Sequence, residues 1–236
     1  MLNSLATTTA IWRPLLPQLT QFHSVVCIDY PGHGNSPSRA LPDDFDALAA
    51  QILGIADVLG IERAHLVGAS VGGMLSLALA AQWPERVRSI SVVGSSPRME
   101  QQMWVDRADL VRDFGVAGIV ADVLPRWFTE QFARHRPDVV AEYRDMLVRT
   151  TDASYLAFCE LLAGLDVRPK LSAIKCPTLV VSGGMDTATT VDEARDVVAV
   201  VPESRLEILP DAAHMIQAMH PVLLGRLLRE HIHKAE

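Results

Sequence analysis

Gly68-Ala69-Ser70-Val71-Gly72 leaves the chain few ways to fold. An apolar run ending in Leu66-Val67 precedes it, and a long apolar run, Met74 to Ala81, follows. The first reads as a buried strand and the second as a buried helix. A strand that passes into a helix over so few residues brings the two elements close together. Side chains two positions either side of Ser70 would collide there, so both positions call for glycine. Ser70 then sits on a strained turn that lifts its hydroxyl clear of the sheet, the geometry of a nucleophile elbow. The helix N-terminus faces that hydroxyl, and the Val71 N–H is free to bind a developing oxyanion. At ordinary glycine and serine frequencies the pattern arises by chance about 0.1 times in a chain of this length.

The flanking sequence supplies a sheet for that turn. Apolar or alternating runs at 24–29, 64–68, 87–94, 178–182 and 204–209 read as strands. Helical patterns occupy 45–59, 74–82, 190–201 and 221–231, the last opening on Pro221. This alternation predicts an α/β fold with a mainly parallel, doubly wound sheet covered on both faces. Residues 2–9 read as a loop, 10–19 as a broken helix, and Tyr30 to Pro37 as a turn-rich loop. From 97 to 167 the pattern is helical and aromatic, with no strong strand. The expected organisation is a core of 1–96 and 168–236 carrying a helical cap of 97–167, most of whose aromatics form its own core.

The 236 residues are 49% hydrophobic and 21% charged, which suits one globular unit with a sizeable core. A formal net charge of −7 argues against nucleic acid or an anionic membrane as partner. No signal peptide or transmembrane run is visible, and the three cysteines, Cys27, Cys159 and Cys176, lack C-x-x-C or zinc-ligand spacing. These features predict a cytoplasmic protein with reduced thiols, no metal and no cofactor. They permit a homo-oligomer.

A serine hydroxyl needs a base to become a nucleophile. Of the eight histidines, His214 is the first candidate. It lies between the last strand and the last helix, and such loops converge on the carboxyl edge of a parallel sheet, where Ser70 also lies. His220, just before Pro221, is the runner-up. His33 also follows a strand, but among glycines in a turn. The base in turn needs an acid to fix its tautomer. Asp186, after the strand at 178–182, reaches the same edge; Asp166 and Asp211 are the alternatives. The chain order Ser70, Asp186, His214 is the one this kind of fold uses.

With these residues in place, the chain resembles the α/β-hydrolase superfamily over essentially its whole length. Within it, the sequence is similar to the 3-oxoadipate enol-lactonases. The narrower likeness rests on Asn3-Ser4-Leu5 with Trp12, on the loop from Asp29 to Ser36, and on Leu124-Pro125-Arg126-Trp127-Phe128-Thr129. Met146-Leu147, Tyr155 and Cys159 add to it. Ala6 and Pro31 depart from the family pattern, which has glycine and arginine there.

The resemblance implies that the Leu5 N–H joins the Val71 N–H as an oxyanion donor. It implies a small-molecule ester or lactone substrate, hydrolysed through an acyl-enzyme. An enol-lactone of this kind carries a carboxylate, for which Arg126 or Arg134 is the candidate partner, with Trp127 beside them. Other carboxylesterase, thioesterase or carbon–carbon hydrolase activities would use the same trio; a cofactor-free oxygenase or perhydrolase on this fold is a further alternative. A non-catalytic binding protein on the same shell, or an inactive truncation product, is the alternative from another class. Family members have strands ahead of the oxyanion loop, one of them between the strands at 24–29 and 64–68. A central gap in the sheet is therefore expected, from a truncated gene model or a late start codon, or else filled by a strand from a partner.

Overall fold

A computed structural model describes residues 1–236. Four parallel strands, β1 (Ala64–Ala69), β2 (Val87–Val93), β3 (Thr178–Gly183) and β4 (Ser204–Leu209), lie side by side in chain order. All six residues of β3 are buried. Successive strand residues point to opposite faces, so that strand is covered on both sides. The β-branched and leucine-rich runs anticipated this.

Helix α1 (Leu16–Leu19) ends the broken helical stretch near the N-terminus, and α2 (Phe45–Val58) begins where the Asp44 side chain accepts a hydrogen bond from the Ala47 N–H at 2.7 Å. Helix α3 (Val71–Gln82) follows Ser70, and its first ten residues are all buried. Five helices then run in succession: α4 (Gln101–Gly118), α5 (Val120–Trp127), α6 (Glu130–His135), α7 (Pro137–Arg149) and α8 (Asp152–Ala163). This helical stretch enters and leaves through a narrow neck. Met99 N–H donates to the Leu165 carbonyl and Val167 N–H to the Pro97 carbonyl, at 3.1 and 2.8 Å. Helices α9 (Val191–Val200), α10 (Ile216–Met219) and α11 (Pro221–Lys234) complete the chain. Thr190 and Glu193 cap α9 reciprocally. No helix is long and apolar enough to cross a membrane.

One predicted strand does not form. Residues 24–29 have no ladder, only a parallel bridge from Ile28 to Leu2. A strand is defined by its ladder to a partner, and here a single bridge stands in its place. Leu2 sits between Ile28 and Gly68 and bridges both; its N–H donates to the Val67 carbonyl, and its carbonyl accepts from the Ala69 N–H. The predicted gap is thus closed at the carboxyl end of the sheet, where Ser70 lies. Below that point it remains as a slot of about 460 Å³, lined mainly by apolar side chains such as Val25, Ile28, Leu66 and Ile232.

Candidate active site

Ser70 has φ 51° and ψ −114°, a strained conformation for a residue with a side chain. Its surroundings hold it there. The Ser70 N–H donates to the Val93 carbonyl at 2.9 Å. Its carbonyl accepts from Ser95 Oγ at 2.7 Å and from the N–H groups of Gly73 and Met74. The two glycines are required sterically: a Cβ on Gly68 would lie 2.0 Å from the Gly72 carbonyl oxygen, and one on Gly72 would lie 2.2 Å from that of Leu2.

Asp186 and His214 arrive from the loops after β3 and β4. Met185 N–H donates to the Ala212 carbonyl at 2.9 Å, which ties those loops together. The His214 Nδ1–H donates to Asp186 Oδ2 at 2.8 Å, and both side chains are buried. Asp186 Oδ1 accepts from the N–H groups of Ala188 and Thr189, at 2.7 and 3.0 Å, and the Thr189 hydroxyl donates to Oδ2 at 2.8 Å. Burial opposes ionisation of Asp186, but His214 and these donors outweigh it and hold the carboxyl below the usual carboxylate range. His214 Nε2 has no partner in the protein, and the Ser70 hydroxyl makes no hydrogen bond within it. Both residues line one pocket. Contacts of this kind often tighten only when substrate binds.

The same pocket is lined by Leu5 and Val71. Neither of their N–H groups has an acceptor in the protein, although both residues are at least nine-tenths buried. Two unsatisfied N–H groups beside a serine hydroxyl can receive a charge that develops on a substrate oxygen.

The other sequence candidates fall elsewhere. His220 meets Asp211 at 3.4 Å, away from the pocket. Asp166 pairs with Arg168 in the segment after α8. His33 is fully buried under the loop carrying Leu5. Arg126 and Trp127 line the pocket, but Arg134 does not. Arg134 lies one turn after Glu130, 3.8 Å from it, on an exposed helical face, so its charge is already matched in solvent.

The pocket is also lined by polar residues that the sequence does not single out for the site, among them Trp104 and Arg107 of α4 and Thr189, and by apolar ones such as Met99, Met103 and Val123. Arg107 and Arg126 have no carboxylate within ion-pair distance, and the Trp104 indole N–H is buried without an acceptor. Burial and the neighbouring Arg107 cation both lower the Arg126 pKa. One wall of the pocket thus presents donors and positive charge with no carboxylate in direct contact, the Asp186 carboxylate acting on Arg126 only through space.

A family model described as alpha/beta hydrolase fold matches residues 1–221. A 3-oxoadipate enol-lactonase of Acinetobacter baylyi is 33% identical over 220 residues, 93% of this chain and 82% of that protein. A pimeloyl-[acyl-carrier protein] methyl ester esterase of Aeromonas hydrophila is 30% identical over 90% of this chain and 86% of its own length. The crystal structure of an enol-lactonase from Burkholderia xenovorans superposes with a TM-score of 0.95 at 32% identity, covering 98% of this chain and 89% of that one.

Proposed function

The chain belongs to the alpha/beta hydrolase fold family, and on that footing we propose that it is a serine hydrolase that opens a lactone, 3-oxoadipate enol-lactone in the first instance. The observation that carries this reading is that His214, held by the buried Asp186, shares a pocket with Ser70 and two N–H groups that lack acceptors.

Ser70 Oγ attacks the lactone carbonyl while His214 Nε2 takes its proton. Asp186 keeps the other ring proton on Nδ1 and stabilises the imidazolium. The N–H groups of Leu5 and Val71 hold the oxyanion. The ring C–O bond then breaks, and the leaving enolate takes the proton from His214. Water, activated by the same imidazole, hydrolyses the acyl-enzyme and releases Ser70. The freed enol tautomerises to a ketone, giving a 3-oxo acid.

Substrate choice rests on the donor-lined wall. Arg107, Arg126 and the Trp104 indole N–H can receive the substrate's carboxylate, and the enol-lactone has one. A charge-assisted hydrogen bond contributes about 1.5–3 kcal/mol, or about 10–100-fold in kcat/KM. The test compares hydrolysis of the enol-lactone with that of a neutral ester such as p-nitrophenyl acetate, in the wild type and in Arg107→Gln. The expected result is about a 10–100-fold loss on the lactone and less than about a threefold change on the neutral ester. Equal losses on both, or a wild type that prefers neutral esters, would remove the carboxylate-bearing lactone as substrate and point to a carboxylesterase.

A further inference from the structure

The loop that carries Leu5 is a tight turn. The Thr7 N–H and the Thr7 hydroxyl both donate to the Ser4 carbonyl, at 3.2 and 2.8 Å. The entry to the turn is anchored as well: the Asn3 carbonyl accepts from the Tyr30 hydroxyl and the Gly72 N–H, at 3.0 and 3.1 Å. Asn3 Oδ1 accepts from the Trp12 indole at 2.7 Å. All these bonds hold the ends of the turn. Its middle, the peptide linking Leu5 to Ala6, has one tether, the Ala6 N–H donating to His33 Nε2 at 3.0 Å. Ala6 has φ +59°, a left-handed conformation that is strained for a non-glycine residue. A strained residue next to an oxyanion donor stays in place only if something holds it.

We propose that His33 is a positioning residue that locks the Leu5–Ala6 peptide and so keeps the Leu5 N–H aimed into the pocket. The chemistry of the contact fixes its proton. Nδ1 lies 3.0 Å from the Pro31 carbonyl, which can only accept, so Nδ1 carries the hydrogen. Nε2 is then a bare lone pair and can accept from Ala6. The ring packs edge-on against Tyr30 and Phe158, with centroids 5.9 and 5.5 Å away, and the Asp29 carboxylate is the anion that acts on it. Burial favours the neutral ring.

This role rests on the serine-hydrolase reading, and the test separates the two. Turnover and affinity for a boronic acid, which forms a tetrahedral adduct on an active serine, are measured for the wild type, His33→Leu and His33→Gln. Leucine fills much of the ring's space and accepts nothing; glutamine can place its Oε1 near the position of Nε2. Removing an oxyanion donor outright costs about 100–1,000-fold in kcat. Loosening one should cost about tenfold or more in His33→Leu, with KM changed less than about twofold and boronate affinity falling in step with kcat. His33→Gln should recover most of that loss.

A cooperatively melting His33→Leu with wild-type kcat would overturn the proposal. So would matched changes in kcat and KM without recovery in His33→Gln. A second measurement needs neither a variant nor activity. The ring nitrogen resonances of ¹⁵N-labelled wild-type protein at pH 7 should show His33 with Nδ1 protonated and Nε2 bare. The opposite tautomer or an imidazolium would overturn the proposal. Absence of Ser70-dependent turnover alongside the expected tautomer would instead overturn the catalytic reading.

Discussion

Ser70 shows how a single residue's conformation is determined by its neighbours. Its strained backbone, which costs about 1–3 kcal/mol, is held by four hydrogen bonds, and the flanking glycines allow the approach of Leu2 and the start of α3. Asp186 is constrained as tightly, with two N–H groups, a hydroxyl and His214 around one carboxylate. In Asp186→Asn the side chain can no longer hold the Nδ1–H tautomer, so turnover should fall about 10⁴-fold. Fluorophosphonate labelling should slow but stay detectable; wild-type rates would reassign the acid. The same residue sets an acid dependence. Its folded pKa is depressed, so its stabilisation is present above the unfolded carboxyl value and is lost as pH falls through the folded one. Ser70, Asp186 and His214 were legible in the sequence because each follows a strand, and parallel strands deliver such residues to one edge. Arg107, Trp104 and Thr189 were not, because the packing of α4 and of the loop after Asp186 decides what they face. The exposed position of Arg134 is legible too, since Glu130 stands four residues before it, the spacing of a solvated helical pair.

At the scale of elements, composition chose the strands and local chemistry chose the ends of the helices. Asp44, Thr190 and Pro221 each stand where the first turn of a helix leaves N–H groups without partners or can dispense with one. The difference at 24–29 is of another kind: its apolar run is strand-like, but pairing is a property of two segments, and this run makes one bridge, to Leu2, instead of a ladder. Helix α11 is joined to the sheet by His231, whose Nε2–H donates to the Ile90 carbonyl of β2 at 3.0 Å. Burial pushes the His231 pKa down from the ordinary 6.5 to about 4. A lowered histidine pKa means that the unfolded chain takes up a proton before the folded one does. The wild type should therefore lose stability as pH falls from 6.5 towards 4, the unfolded and folded values of this group. Urea melts across that range should show a shallower loss in His231→Gln than in the wild type. Identical slopes would place the acid sensitivity elsewhere.

For the whole molecule, the stretch between the neck at 97–99 and 165–167 is five helices, of which α4, α5 and α8 line the pocket that holds Ser70 and His214. Trp127 at the end of α5 accepts a hydrogen bond through its carbonyl from the Met215 N–H, beside His214. We read these helices as a cap whose inner wall selects the substrate while the sheet edge performs the chemistry. The chain bears a net charge of −7, yet two guanidinium groups with no carboxylate in contact, those of Arg107 and Arg126, collect at this pocket. That local reversal of sign is what an anionic substrate requires. The cap's helical character could be read from its periodicity, but its wall could not, since wall residues are set by how the cap docks.

The central claim is that sheet edge, loops and N-terminal turn assemble a working nucleophile at Ser70. Intact-mass analysis after exposure to a fluorophosphonate tests it most directly, with Ser70→Ala alongside and a thermal melt on each sample. The account predicts one adduct on the wild type and none on Ser70→Ala, both proteins melting cooperatively. A cooperatively folded wild type that takes no label, or an adduct that persists in Ser70→Ala, would contradict it.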